Sequence, residues 1–227
     1  MLKDIKAVLI DIDDTLLDFN ACANVALKAC FTELGLDYKE SYFGVFLQVN
    51  ESLWAMIESG AITRKQHREL RFKLILEKLN VNYDSAVCEE LFRHKLYNVA
   101  YKVDGAIELL EYLSKKYVIY AASNAYVQQL ERIKIAGIDK YFKMVFLSEQ
   151  LGATKPNKEF FDGCFKNMNG ITADQTVMIG DSLVADIKGA YDCGLKTIWY
   201  NPKKKQNLRD IYADFSVSSL LEIKKIL

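Results

Sequence analysis

The chain has 227 residues, 51% of them hydrophobic, which is ample for a buried core and fits one large domain or two modest ones. Thirty basic residues balance thirty acidic ones, so no global field draws the chain to a nucleic acid polymer, an anionic membrane or an acidic partner. Its five cysteines, Cys22, Cys30, Cys88, Cys164 and Cys193, show neither CxxC pairing nor metal-finger spacing, and reduced thiols in a cytosol are expected.

The first apolar run, residues 7–10, is short, β-branched in part, and stops at Asp11, Asp13 and Asp14. No signal-peptide core tolerates such carboxylates, and no apolar stretch reaches the ~20 residues that span a bilayer, so a cytoplasmic protein is expected. From about residue 20 to residue 100 every periodic stretch is helical. Ala23, Ala26, Leu27, Cys30 and Leu34 share one face; Phe43, Phe46, Leu47, Leu53, Trp54 and Ile57 form a second stripe that ends near Gly60. Thr63 followed by Gln66 has the spacing of a capping box and opens a third helix bearing Phe72, Ile75, Leu76 and Leu79. Cys88, Leu91, Phe92, Leu96 and Val99 mark a fourth.

Beyond residue 100 the pattern alternates. Ala106, Leu109, Leu110 and Leu113 follow the i, i+3, i+4, i+7 rule, as do Val184, Ile187 and Tyr191 ahead of Gly194. Between and around them lie apolar runs at 118–122, 144–147, 177–179 and 197–200, which suit strands buried on both faces of a parallel sheet. Strands alternating with helices predict a doubly wound, Rossmann-like α/β core, residues 1–18 and 101–227, with an all-helical domain inserted at 19–100.

Ligands in open α/β sheets gather at the carboxyl ends of strands, and polar clusters stand at or just beyond four of these. The first is Asp11-Ile12-Asp13-Asp14-Thr15, placed for a metal or a phosphate, although turns and helix caps use the same residues. The second is Ser123-Asn124, where a hydroxyl and an amide can donate to a phosphate oxygen or simply form a turn. Lys155, before Pro156, comes after the third strand, where a lone lysine is ordinarily solvated surface. Gly180-Asp181-Ser182 closes the fourth, with Asp186 one turn into the next helix, where acids also suit the helix dipole.

In this order the four clusters resemble the four motifs of the haloacid dehalogenase superfamily, and the helical insert sits where that superfamily carries its cap of the first type. The resemblance implies that Asp11 is a nucleophile and Asp13 a general acid/base. It implies Mg2+ held by Asp11, the backbone carbonyl of Asp13 and Asp181. Lys155 would neutralise the nucleophile and the transferring phosphoryl group, Ser123 and Asn124 would bind phosphoryl oxygens, and Asp186 would orient Lys155 or a metal-bound water. Asp13 separates subfamilies: a halide leaves without a proton, an alkoxide needs one, so a phosphatase is favoured over a dehalogenase. The expected partner is a small-molecule phosphate ester.

Within the insert, Leu53-Trp54, Gly60 to Thr63 and Arg71-Phe72 are similar to the cap of bacterial noncanonical pyrimidine 5′-nucleotidases. Trp54 and Phe72 also lie on apolar stripes, where core packing is the commoner role. Arg64, Arg68 and Arg71 share a helix face that could meet an anionic substrate, although a solvated face is the commoner explanation, and His67 and His94 carry no assigned role. A sugar-phosphate or phosphoglycolate phosphatase, a phosphomutase and an inactive binding protein remain alternatives.

Overall fold

The computed structural model describes residues 2–208 and 210–227. The chain forms two compact units, Met1–Phe19 with Ala100–Leu227, and Asn20–Val99.

The second unit is helical: α1 (Phe19–Glu33) leads into it, followed by α2 (Ser41–Glu58), α3 (Arg64–Leu79) and α4 (Ser85–Tyr97). The capping box forms as its spacing predicts, with Gln66 N–H donating to Thr63 Oγ1 and Thr63 N–H to Gln66 Oε1, satisfying donors that the first turn of α3 leaves unpaired. Asp84 caps α4 by accepting from Ala86 and Val87 N–H. The apolar stripes meet in an aromatic cluster, where the Phe92 ring lies 5.1 Å from Phe46 and 5.3 Å from Phe72. Arg71 departs from the expected solvated face. It is buried, forms a two-pronged pair with Glu89 at 3.0 and 2.7 Å, and donates to Asn50 Oδ1 at 3.3 Å. Its planar guanidinium lies 4.8 Å from the centre of the Phe92 ring, so the charge is balanced by Glu89 and the flat face by an aromatic.

The first unit is built on a six-stranded sheet in the order β3-β2-β1-β4-β5-β6. Its strands are β1 (Ala7–Ile10), β2 (Val118–Ser123), β3 (Met144–Leu147), β4 (Thr176–Gly180), β5 (Lys196–Tyr200) and β6 (Phe215–Val217), all pairing in parallel. Burial on both faces explains the unbroken apolar runs. Val8 and Ile10 face one cluster with Leu109, Leu113, Ile119 and Ile179, whereas Ala7 and Leu9 face the other with Tyr120, Phe160, Phe161 and Met178. Helices α5 (Ala106–Leu113), α6 (Gln129–Ile135), α7 (Ser148–Leu151) and α8 (Lys158–Phe165) accompany the sheet. β6 was not expected, because three residues are too few to show a period.

The segment after β4 is a π-helical turn, Leu183–Lys188, running into α9 (Gly189–Asp192). A π turn inserts a residue and rotates the rest of the helix about its axis. That displaces Tyr191 from the buried stripe its spacing predicts: Ile187 and Ala190 are fully buried, while Tyr191 is 48% exposed.

This strand order reverses direction at β1, so the crevice beyond the carboxyl ends of β1 and β4 lies at the switch point, where connections leave in opposite directions and a ligand can reach the backbone. Among the described residues, no helix is long and apolar enough to cross a membrane.

Candidate active site

Asp11 is the first residue past β1, and its N–H still pairs with Ile179 O at 2.9 Å, so the sheet fixes where its side chain begins. Beyond it the chain turns tightly: Leu16 and Leu17 N–H both donate to Ile12 O, and Asp14 adopts a left-handed φ of 60°. Short polar residues tolerate that conformation best, which accounts for an aspartate in the turn.

Lys155 is only 2% exposed, and its ammonium uses all its donors, at 2.6 Å each, on Asp11 Oδ1, Asp186 Oδ1 and Ala122 O. Flanking carboxylates hold its pKa above the ordinary lysine value despite burial. It is not the solvated loop lysine that its sequence position suggests. The loop is secured by Asn124, whose Oδ1 accepts from Lys155 N–H at 2.8 Å and whose Nδ2 donates to Lys155 O at 2.9 Å. The planar amide matches the donor and acceptor of one peptide unit, and the Asn124 side chain so braces the lysine loop. Ser123 is buried at the end of β2, in register with Leu147.

Asp186 is buried beside them; its Oδ2 accepts from Ser182 N–H at 3.1 Å. That approach needs Gly180, since a Cβ there would overlap the Asp186 carboxylate. Asp181 is held from behind, because Trp199 Nε1 donates to its carbonyl oxygen at 2.9 Å.

Carboxylate oxygens of Asp11, Asp181 and Asp186 lie within 4.8 Å of one another. Together with Lys155 they leave negative charge in excess, which shows at Asp11 and Asp181. Burial, reinforced by Asp186 and only partly offset by Lys155, pushes Asp11 up to about 7. Burial, then Asp11 and Asp186, drives Asp181 well above the carboxylate range. Burial and the Asp13 charge lift Asp14 to about 6. A largely buried carboxylate cluster whose one ammonium leaves negative charge in excess fits a hard divalent cation, and Mg2+ matches its hardness.

Asp13 departs from its neighbours. Its carboxylate is claimed by α6: Gln129 Nε2 donates to Oδ2 at 2.9 Å and Arg132 Nη1 to Oδ1 at 2.5 Å. Only its backbone carbonyl therefore suits the expected metal role. Neither Gln129 nor Arg132 was expected from sequence, because a glutamine and an arginine three residues apart on a helix look like surface, and their partner is more than 110 residues away.

In the helical unit, Phe72 is core, whereas Trp54 is part-exposed, with Arg64 5.2 Å above its ring and His67 5.3 Å from it. His67 is buried and its pKa is driven down to about 3 by desolvation, then by Arg71, Arg64 and Arg68.

A family model described as haloacid dehalogenase-like hydrolase matches residues 5–194. The chain belongs to that family. Over all 227 residues it is 33% identical to the HAD-hydrolase YfnB of Bacillus subtilis, covering 97% of that protein. The crystal structure of YfnB bound to magnesium superposes with a TM-score of 0.94, covering 98% of each chain. The pyrimidine 5′-nucleotidase PynA of Streptococcus pneumoniae is 33% identical over 96% of this chain and 94% of its own. The pyrimidine 5′-nucleotidase YjjG of Escherichia coli is 29% identical over 97% of this chain and 96% of its own. The doubly wound core is thus that of a haloacid dehalogenase-like hydrolase.

Proposed function

We propose that this hydrolase is a Mg2+-dependent phosphatase that cleaves pyrimidine nucleoside 5′-monophosphates through an aspartyl-phosphate at Asp11. The observation that carries the phosphatase reading is the buried Lys155 ammonium shared by Asp11 and Asp186 at the sheet switch point, with a second acid, Asp13, two residues beyond Asp11. Likeness along nearly the whole chain to PynA and YjjG supports the nucleotide substrate.

In this reading an Asp11 carboxylate oxygen attacks phosphorus while the bond from phosphorus to the leaving oxygen breaks. Asp13 gives that oxygen its proton. Asp13 then takes a proton from water as the water oxygen bonds to phosphorus and the Asp11–phosphorus bond breaks, which restores Asp11 and releases phosphate. Lys155 offsets the repulsion between carboxylate and dianion, and the buried Ser123 hydroxyl binds a phosphoryl oxygen. Asp11, the Asp13 carbonyl and Asp181 would hold Mg2+, with Asp186 fixing Lys155 beside them. The bound metal supplies Lewis-acid neutralisation of the ester's charge. The helical unit acts as the cap that sets preference for the leaving group, since the core residues treat every phosphate monoester alike.

A panel of purified esters tests the substrate. Values of kcat/KM for uridine and thymidine 5′-monophosphates should exceed those for adenosine 5′-monophosphate and for sugar phosphates. A sugar phosphate or phosphoglycolate that wins by tenfold, about 1.4 kcal/mol, removes the nucleotidase reading and leaves the phosphatase.

A further inference from the structure

Arg132 is 1% exposed, Gln129 is equally buried, and both are committed to a carboxylate that is itself 32% exposed. Arg132 Nη1 also donates to Gln129 Oε1 at 3.1 Å, so the glutamine amide has its oxygen on the arginine and its nitrogen on Asp13 Oδ2. The two side chains are i and i+3 on α6, on one helix face, and they grip both oxygens of Asp13 at once. Burying a guanidinium is costly, and an apolar residue of similar volume often serves stability as well or better. What such a residue cannot do is fix a carboxylate's orientation.

We propose that Gln129 and Arg132 are positioning residues that hold the Asp13 carboxylate at one orientation, so that it delivers a proton to the leaving oxygen and reclaims one from water at the same place. The inference rests on the reading of Asp13 as general acid/base. Each Asp13 oxygen accepts one bond from the clamp and keeps a lone pair on its exposed side, where the proton moves. Without the clamp the carboxylate samples rotamers that face solvent, and proton transfer loses the alignment on which its contribution, roughly 10²–10⁴-fold, depends.

Two esters separate this role from a structural one. A nucleoside 5′-monophosphate leaves as an alkoxide that needs the proton, whereas p-nitrophenyl phosphate leaves as a stable phenolate. In pre-steady-state measurements, Gln129→Leu and Arg132→Lys should slow aspartyl-phosphate formation from the nucleotide by tenfold or more. The p-nitrophenolate burst should stay within threefold of wild type, followed by slowed turnover, and the Mg2+ concentration for half-maximal rate should stay within twofold. In an Asp13→Asn background, Gln129→Leu should cost nothing further, because a residue that acts through Asp13 has nothing left to position. Equal slowing of both esters, or full additivity with Asp13→Asn, overturns the clamp. If Asp13→Asn alone turns over like wild type, the acid/base reading itself falls, a result visible before any clamp variant is made. Should Gln129→Leu fail to fold, Arg132→Lys, which keeps the charge and loses the fork, decides by the same two-ester comparison.

Discussion

Replacing Lys155 with methionine keeps most of the side-chain volume and removes the ammonium. The three hydrogen bonds lost, each 2.6 Å long, include those to Asp11 and Asp186, both left buried without their shared cation. Breaking a buried pair in this way typically costs about 3–5 kcal/mol, which in a chain of this length lowers Tm by roughly 6–20 °C. The cost depends on pH. Burial already raises Asp11 to about 7 beside the lysine, and losing that ammonium raises it further, so from the unfolded value near 3.9 upward the folded variant holds a proton there that the unfolded chain has released. Its stability therefore falls as pH rises, and the gap to wild type widens from pH 5 to pH 8. Turnover should drop by about 10²–10³, the scale for removing one preorganised electrostatic donor. Thermal unfolding at both pH values and kcat at saturating Mg2+ measure these effects. A kcat loss under tenfold, with a stability gap that does not change with pH, would refute the assignment.

Chelation should silence the enzyme, Mg2+ should restore it, and Ca2+ should support it poorly because its larger, looser coordination shell misplaces the nucleophile. Independently of activity, Mg2+ at a hundredfold over its Kd should stabilise the fold by about 2.7 kcal/mol, and Asp181→Asn should abolish that gain in a thermal shift assay. His67 titrates near 3 in the folded protein, against about 6.5 unfolded, so between these values the unfolded chain takes up a proton that the folded one refuses. Stability tied to His67 is complete above pH 6.5 and declines as pH falls, by at most about 1.4 kcal/mol per unit. Denaturant unfolding at pH 7 and pH 5 should show a smaller acid loss in His67→Phe, and an unchanged loss would mean that His67 protonates freely in the folded state.

Much of this architecture was legible because it is local. The strands at 7–10 and 177–179 announce themselves by unbroken apolar runs that suit burial on both faces, and the third helix by its Thr63 and Gln66 cap. The positions of Asp11, Ser123, Lys155 and Asp181 at or just beyond strand ends are set by topology once the strands are placed. What escaped is non-local or phase-dependent. The π turn shifts Tyr191 out of the stripe, and no residue type specifies that extra residue. Arg71 looked like surface because its partner Glu89 lies on the next helix. Gln129 and Arg132 looked like surface because they answer to Asp13, a strand end far away in sequence. The bracing of the Lys155 backbone by Asn124 escaped as well, because the two lie 31 residues apart.

The most direct test of the account is to trap the covalent intermediate. Rapid acid quench of enzyme mixed with radiolabelled nucleotide and Mg2+, then peptide mapping, should find a hydroxylamine-labile phosphate on Asp11, absent from Asp11→Asn; with radiolabelled p-nitrophenyl phosphate, whose leaving group needs no proton, the same label should accumulate in Asp13→Asn. Turnover that proceeds at full rate with no label on Asp11 at any quench time would contradict it.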